Sequence, residues 1–138
     1  MPRQRPYGLL RGQINAYVAL PAGATAVEII TDWVGGFAYT IESVKAYVAV
    51  AGAGAGASRT FRVLKGASTV VATATLALAD TATLGAEKAF TVAAADARYA
   101  DTNTLSVDFA SGGTAFTGGA VNLVISYRQH PQAVAGNG

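Results

Sequence analysis

The sequence predicts an all-β fold, an antiparallel β-sandwich of jelly-roll-like layout preceded by an extended N-terminal arm. Three observations predict it. Seven to nine short runs alternate apolar and polar residues at roughly ten-residue spacing. Glycine pairs or small polar clusters separate many of those runs, as hairpin turns require. No long stretch carries a 3.6-residue apolar period. The many alanines sit inside Thr/Val alternation, where periodicity outweighs helix propensity.

The elements follow in order. Residues 1–12 carry Pro2, Pro6, Gly8 and Gly12 and read as an extended arm. In 13–20 Ile14, Ala16, Val18 and Leu20 share one face of a strand, and Pro21 and Gly23 end it. Residues 26–34, AVEIITDWV, are β-branched and aromatic, and Gly35-Gly36 turns the chain. In 37–50 Phe37, Tyr39 and Ile41 share one parity, while Val44, Ala46, Val48 and Val50 share the other. The change near Glu42-Ser43 predicts a bulge, a bend or two strands. The AGAGAGAS stretch that follows reads as a flexible loop.

TFRVLK (60–65) and TVVATATLAL (69–78) form a strand pair about Gly66, with Val70, Ala72, Ala74, Leu76 and Leu78 on one face. A loop over 80–87 leads to the strand KAFTVA (88–93). Residues 94–103 break the pattern and accommodate one helical turn. TLSVDFA (104–110) and AVNLVISYR (120–128) alternate again. The polar, Gly-rich end, 129–138, reads as a flexible tail, which leaves 13–128 as the sandwich domain.

Composition narrows the function. Of 138 residues 51% are hydrophobic and only 13% charged, so the strand surfaces are clothed in Ala, Thr, Ser and Gly. Such a surface costs little to desolvate and suits lasting contact with a partner. The net charge is +2, yet Arg3, Arg5 and Arg11 all lie in the arm with no acid among them. The body keeps seven basic against eight acidic residues. A basic arm on a near-neutral body points to tethering through the arm, with Arg3, Arg5, Tyr7 and Arg11 as the contact residues. A nucleic-acid face needs a basic stripe on the folded surface, and no such stripe is present in the strands. The longest apolar runs are broken well short of a membrane helix, and the N-terminus lacks the apolar core of a signal peptide.

Catalysis needs a positioned acid, base or nucleophile. The chain has no cysteine, and its one histidine, His130, reads as a solvated tail residue. No glycine cluster has phosphate-loop or dinucleotide context. Asp96, Asp101 and Asn103 offer oxygen ligands without calcium-loop spacing, and turn shaping accounts for them. No catalytic residue, metal ligand, cofactor or small-molecule substrate is therefore assigned. The strand aromatics Tyr39, Tyr47, Phe61, Phe90, Phe109 and Tyr127 read as core. Trp33, at a strand end, reads equally as an interface or sugar anchor and as a core or corner residue, and Arg98-Tyr99, in the irregular segment, reads either as a partner contact or as a solvated Arg above a packed Tyr.

Residues 59–128 carry a resemblance. They contain a TFRVLKGASTVVATATLAL hairpin, the FTVAAADARYADTNTLSVDF segment and a terminal GTAFTGGAVNLVISYR strand. In size, texture and layout the chain resembles the decoration (cement) proteins of tailed-phage capsids, in particular those of jelly-roll type. The resemblance implies a protein that does no chemistry. It implies that dimers or trimers bind the outer capsid lattice, staple neighbouring major capsid subunits and resist internal DNA pressure. The expected partners are then the major capsid protein and further copies of this chain. The expected place is the outer surface of the virion, assembled in the host cytoplasm. No family residue carries over position by position. Two rival expectations are another virion part (head-fibre base, tail or connector) and a carbohydrate- or receptor-binding module using Trp33.

Overall fold

The computed structural model describes residues 10–21, 27–30, 33, 35–66 and 68–131. Ten strands run β1 (Leu10–Ala19), β2 (Val27–Ile30), β3 (Phe37–Ala53), β4 (Ser58–Lys65), β5 (Thr69–Ala77), β6 (Glu87–Ala89), β7 (Thr91–Val92), β8 (Arg98–Tyr99), β9 (Leu105–Phe109) and β10 (Gly118–Pro131). Single 3₁₀ turns occupy Leu78–Thr81 and Ala94–Asp96. Every pairing among these strands is antiparallel. One sheet has the order β1-β10-β3-β6, with β8 also on β3; the other has β2-β9-β4-β5-β7.

The run expected as one strand over 88–93 is split between the two sheets. Phe90 makes the switch. Its N–H bonds to Val44 O at 2.9 Å, and its ring meets Phe61 edge-on inside the core. The next residues then pair with β5 instead of β3. With β6, β7 and β8 counted as one broken strand, the order becomes 1-8-3-6 and 2-7-4-5, the two interlocked Greek keys of a jelly roll.

The core lies between the sheets. Val121, Leu123 and Ile125 of β10 and Ile41, Val44 and Ala46 of β3 face Phe61, Val63, Leu76, Leu105, Val107 and Phe109 of the second sheet. Burying one such side chain is worth about 1.5–3 kcal/mol, so these two layers carry most of the stability.

The parity change in β3 is a bulge at Glu42, because Ser43 pairs with Ser126 and Ile41 with Tyr127. A second bulge, at Val71 in β5, was not foreseen. It leaves Val63 opposite Ala72 and Leu64 opposite Val70. Val71 is consequently the buried residue, and Val70 is only half-buried.

Three expectations need correction. AGAGAGAS is not a loose loop: β3 continues through Ala53, and β4 begins at Ser58 after one tight turn. The small residues are there for contact. A Cβ on Gly52 would collide with the Thr81 side chain and lie 3.0 Å from the Phe116 ring. Buried Ala57 ties its N–H to Gly54 O and its carbonyl to Leu78 N. Residues 10–12, expected in the arm, are part of β1, because Leu10 pairs with Gln129 and Arg11 with Arg128. Gly12 belongs to that strand because a Cβ there would stand 2.6 Å from Tyr127 Cζ. Residues 129–131, expected in the tail, are part of β10, with Gln129 paired to both Leu10 and Tyr39. A strand held on both sides does not fray at the point where its polarity rises. Residues 1–9 and 132–138 lie outside the described residues.

Candidate interaction surface

The outer face of the β1-β10-β3-β6 sheet is laid out by the register. Tyr17, Asn122, Tyr47 and Glu87 form one row, and Asn15, Val124, Lys45 and Ala89 the next. Lys45 Nζ reaches Glu87 Oε1 at 2.9 Å, and Tyr47 Oη donates to the same oxygen at 3.3 Å. The lysine ammonium holds the Glu87 carboxyl below its ordinary pKa, chiefly by hydrogen bonding. Tyr47 therefore belongs to the surface and not to the core, as its parity opposite Ala46 and Val48 requires.

At the end of this face marked by Tyr17 stand the large exposed apolar side chains. Tyr17 is 64%, Val50 49% and Leu84 65% exposed. Val50 pairs with Ala120, which pairs with Ala19, one step beyond the Tyr17 row. Leu84 adjoins Gly85, whose N–H bonds to Val48 O at 2.8 Å. Tyr17 on β1 and Val50 on β3 flank β10, and Leu84 lies in the turn before β6, so three well-exposed apolar groups stand toward one end of this sheet. The signal for Tyr17 was in the sequence: it sits between Ala16 and Val18 on the face opposite them.

The opposite end of the sheet is basic. Arg11 Nε donates to Glu42 Oε1 at 3.0 Å, and Arg128 Nη1 lies 3.9 Å from the other oxygen of that carboxylate. Arg11 is thus a strand residue already engaged by the bulge, and not a free arm cation. Arg11, Gly12, Gln13, Glu42, Ser126 and Tyr127 line a shallow hollow of about 220 Å³ beside this pair. His130, expected in a tail, sits in β10 with Nε2 3.0 Å from Thr40 Oγ1. Arg98 Nη1 lies 3.2 and 3.3 Å from its two ring nitrogens. Burial, and then the neighbouring Arg98, hold its pKa below the ordinary value.

The other predicted anchors are not brought to the surface. Trp33 is only 9% exposed and stacks on Tyr39 at 4.1 Å, with Tyr99 and Tyr127 at 5.7 and 5.9 Å. Its indole closes one end of the sandwich, so no ring face is free for a sugar or a partner. Tyr99 is fully buried, and its hydroxyl donates to Leu64 O at 2.9 Å. Burial pushes that phenol well above its ordinary pKa. Arg98 alone of this pair is exposed, and its carbonyl accepts from Lys65 Nζ at 2.9 Å. Arg3, Arg5 and Tyr7 lie outside the described residues.

The second sheet presents a threonine face. Thr60, Thr73, Thr75 and Thr91 surround an Arg62–Asp108 pair bound twice, at 2.8 and 2.6 Å. Asp101 Oδ2 accepts from Gly36 N, and Asn103 Oδ1 from Ala100 N, each at 2.8 Å, so these acid and amide groups shape turns. Asp96 is the last residue of its 3₁₀ turn and does not cap it. Among the described residues no three His, Cys, Asp or Glu side chains converge on a metal position, and no helix is long and apolar enough to cross a membrane.

No protein-family model matches the chain, and no curated protein matches it. Solved structures do. A chain of the cyanophage Pam1 capsid asymmetric unit superposes with a TM-score of 0.56 at 14% identity, covering 93% of this chain and 91% of that one. A chain of the Bacillus endospore appendages, a family of disulfide-linked pili, is 16% identical over 96% of this chain and 98% of that one. Its TM-score of 0.41 is too low to argue from. At such identities the likeness establishes architecture alone: this chain has the antiparallel β-sandwich that the Pam1 capsid chain shares over nearly its whole length.

Proposed function

We propose that the chain is a virion structural protein, a decoration (cement) protein that binds the outer capsid lattice and staples neighbouring major capsid subunits. The observation that carries this reading is the likeness, across more than nine-tenths of both chains, to a component of a phage capsid. The surface agrees with it. Only 13% of the chain is charged, the charges on the two outer sheet faces are largely paired with one another, and Tyr17, Val50 and Leu84 are exposed. Jelly rolls recur in viral capsids for a physical reason: a rigid sandwich presents flat faces and loop clusters without exposing much backbone. In this reading the chain performs no chemistry. It works by multivalent burial, in which linked weak contacts gain roughly 10²–10⁴ in avidity. Residues 1–9, with Arg3, Arg5 and Tyr7, extend the reach to capsid carboxylates.

The test is to add the purified protein to capsids assembled without it and to count copies per particle by electron cryomicroscopy. Decoration predicts on the order of hundreds of copies on the outer surface; about a dozen or fewer at one vertex favours a tail, connector or fibre part. The Tyr17→Lys/Val50→Lys double variant should fold and should lose at least about tenfold in affinity, as loss of an aromatic anchor does. Deletion of residues 1–9 should lower occupancy without touching β1. No binding to the outer surface by the intact chain would sink the reading.

A further inference from the structure

We infer that β1 is a seam at which two copies of this chain pair, strand to antiparallel strand, across a two-fold axis at Asn15. This deepens the self-association half of the proposed function and is separable from its capsid half.

The argument starts from the sheet edges. Edge strands present unpaired N–H and C=O groups, and natural proteins blunt them with short strands, bulges, charge or proline. Three of the four edges here are blunted. β2 has four residues and a register shift, β7 has two, and the far side of β3 carries only the short β6 and β8. The fourth edge is not blunted. β1 pairs with β10 through ten consecutive residues without a bulge, it contains no proline, and its one charge, Arg11, lies near its end. Among the described residues nothing pairs with its outer side.

The hydrogen-bond phase of that edge follows from one bond. Leu20 N donates to Gly119 O at 3.0 Å, in register with the ladder below it. Antiparallel pairs alternate between bonded and unbonded, so the even residues of β1 bond to β10. The odd residues, Arg11, Gln13, Asn15, Tyr17 and Ala19, therefore aim their N–H and C=O groups away from the sheet. Their side chains are exposed as well.

A second copy satisfies all of these groups at once. With Asn15 on the axis, Arg11 faces Ala19 of the second copy, Gln13 faces Tyr17, and Asn15 faces Asn15. Five bonded pairs then give about ten hydrogen bonds. No like charges meet, the two side-chain amides pair on the axis, and each exposed Tyr17 ring gains a neighbour. Parallel pairing in register would set Arg11 beside Arg11. The pattern is thus self-complementary in the antiparallel sense alone, as an isologous interface demands.

The experiment uses the full chain, which has no cysteine of its own. Light scattering should give the mass of two chains; a monomer or a three-chain mass overturns the seam. Residues in a bonded antiparallel pair have Cα atoms about 5.5 Å apart, within disulfide reach. Asn15→Cys should therefore cross-link to its mate under mild oxidation. In this register the Gln13 positions of the two copies are about 14 Å apart. Gln13→Cys should cross-link at least about tenfold more slowly, since that separation is beyond disulfide reach. Equal cross-linking of the two variants, or none at Asn15, overturns the proposal. If capsid occupancy persists while cross-linking fails, only the seam is wrong; if cross-linking succeeds and capsids stay bare, only the capsid reading is.

Discussion

Truncating Arg62 should cost the fold more than truncating its partner Asp108, although both changes delete the same ion pair. The Asp108 side chain, on the interior strand β9, is 6% exposed, while that of Arg62, on the adjacent central strand β4, is 31% exposed. Two bonds of 2.8 and 2.6 Å join them. Breaking a fully buried pair costs about 3–5 kcal/mol, whereas an exposed pair is worth only about 0.2–1 kcal/mol. This pair lies between those limits, and its two halves differ. Arg62→Ala strands a carboxylate that water can scarcely reach, so we expect a loss of about 2–3 kcal/mol. Asp108→Ala leaves a guanidinium that can turn toward solvent, so we expect about 1 kcal/mol. The double variant should lose less than the sum, with a coupling of about 1 kcal/mol. Urea unfolding followed by circular dichroism measures all three, and in melting temperature the Arg62 variant should fall by roughly 8 °C. Equal losses, a larger loss for Asp108→Ala, or strict additivity would refute this reasoning.

Four further outcomes are expected. Leu123→Ala, in the middle of β10 and fully buried, should lose about 3 kcal/mol in the same urea assay through lost burial and a cavity. Gly52→Ala should lose about 2 kcal/mol by overpacking against Thr81 and Phe116. Gly56→Ala, in open space with φ +69°, should lose only about 1 kcal/mol; the reverse order would contradict the packing account. His130 has a folded-state pKa depressed below 6.5 by burial and by Arg98, with Arg128 adding to it. The unfolded chain then binds the proton more readily, so this contribution is complete above pH 6.5 and is lost as pH falls through the depressed value. The melting temperature should drop from pH 7.5 to 5.5 in the native protein, and His130→Gln should flatten that slope.

The sheet face that carries Tyr17 and Val50 meets the β1 edge at Tyr17. That residue therefore has two tests that separate by readout. Capsid occupancy reports the face, and oligomeric mass reports the edge.

Much of the architecture was legible in the sequence because side-chain alternation is a local property of a strand. Ile14 through Leu20, Val121 through Tyr127 and the parity break at Glu42 each follow from counting by two, and each is present. Alternation also exposes Tyr17 and Tyr47 once the inner residues are known. The absence of cysteine and the thin supply of charge were equally plain.

What only the tertiary structure decided depends on residues far apart in the chain. Trp33 sits at a strand end where local pattern leaves surface and core roles open, and Tyr39, Tyr99 and Tyr127 arrive from other elements and cover it. His130 lies in a polar stretch that looks like a tail, but β1 holds β10 as far as Gln129 and β3 pairs with it through Pro131. The glycines of AGAGAGAS look interchangeable until Thr81 and Phe116 press on one of them. The sequence by itself determined the strand periods and most of the turns, since each is written in a few adjacent residues. Strand order, the switch at Phe90 and the bare edge at β1 were decided by long-range pairing, which no local pattern encodes.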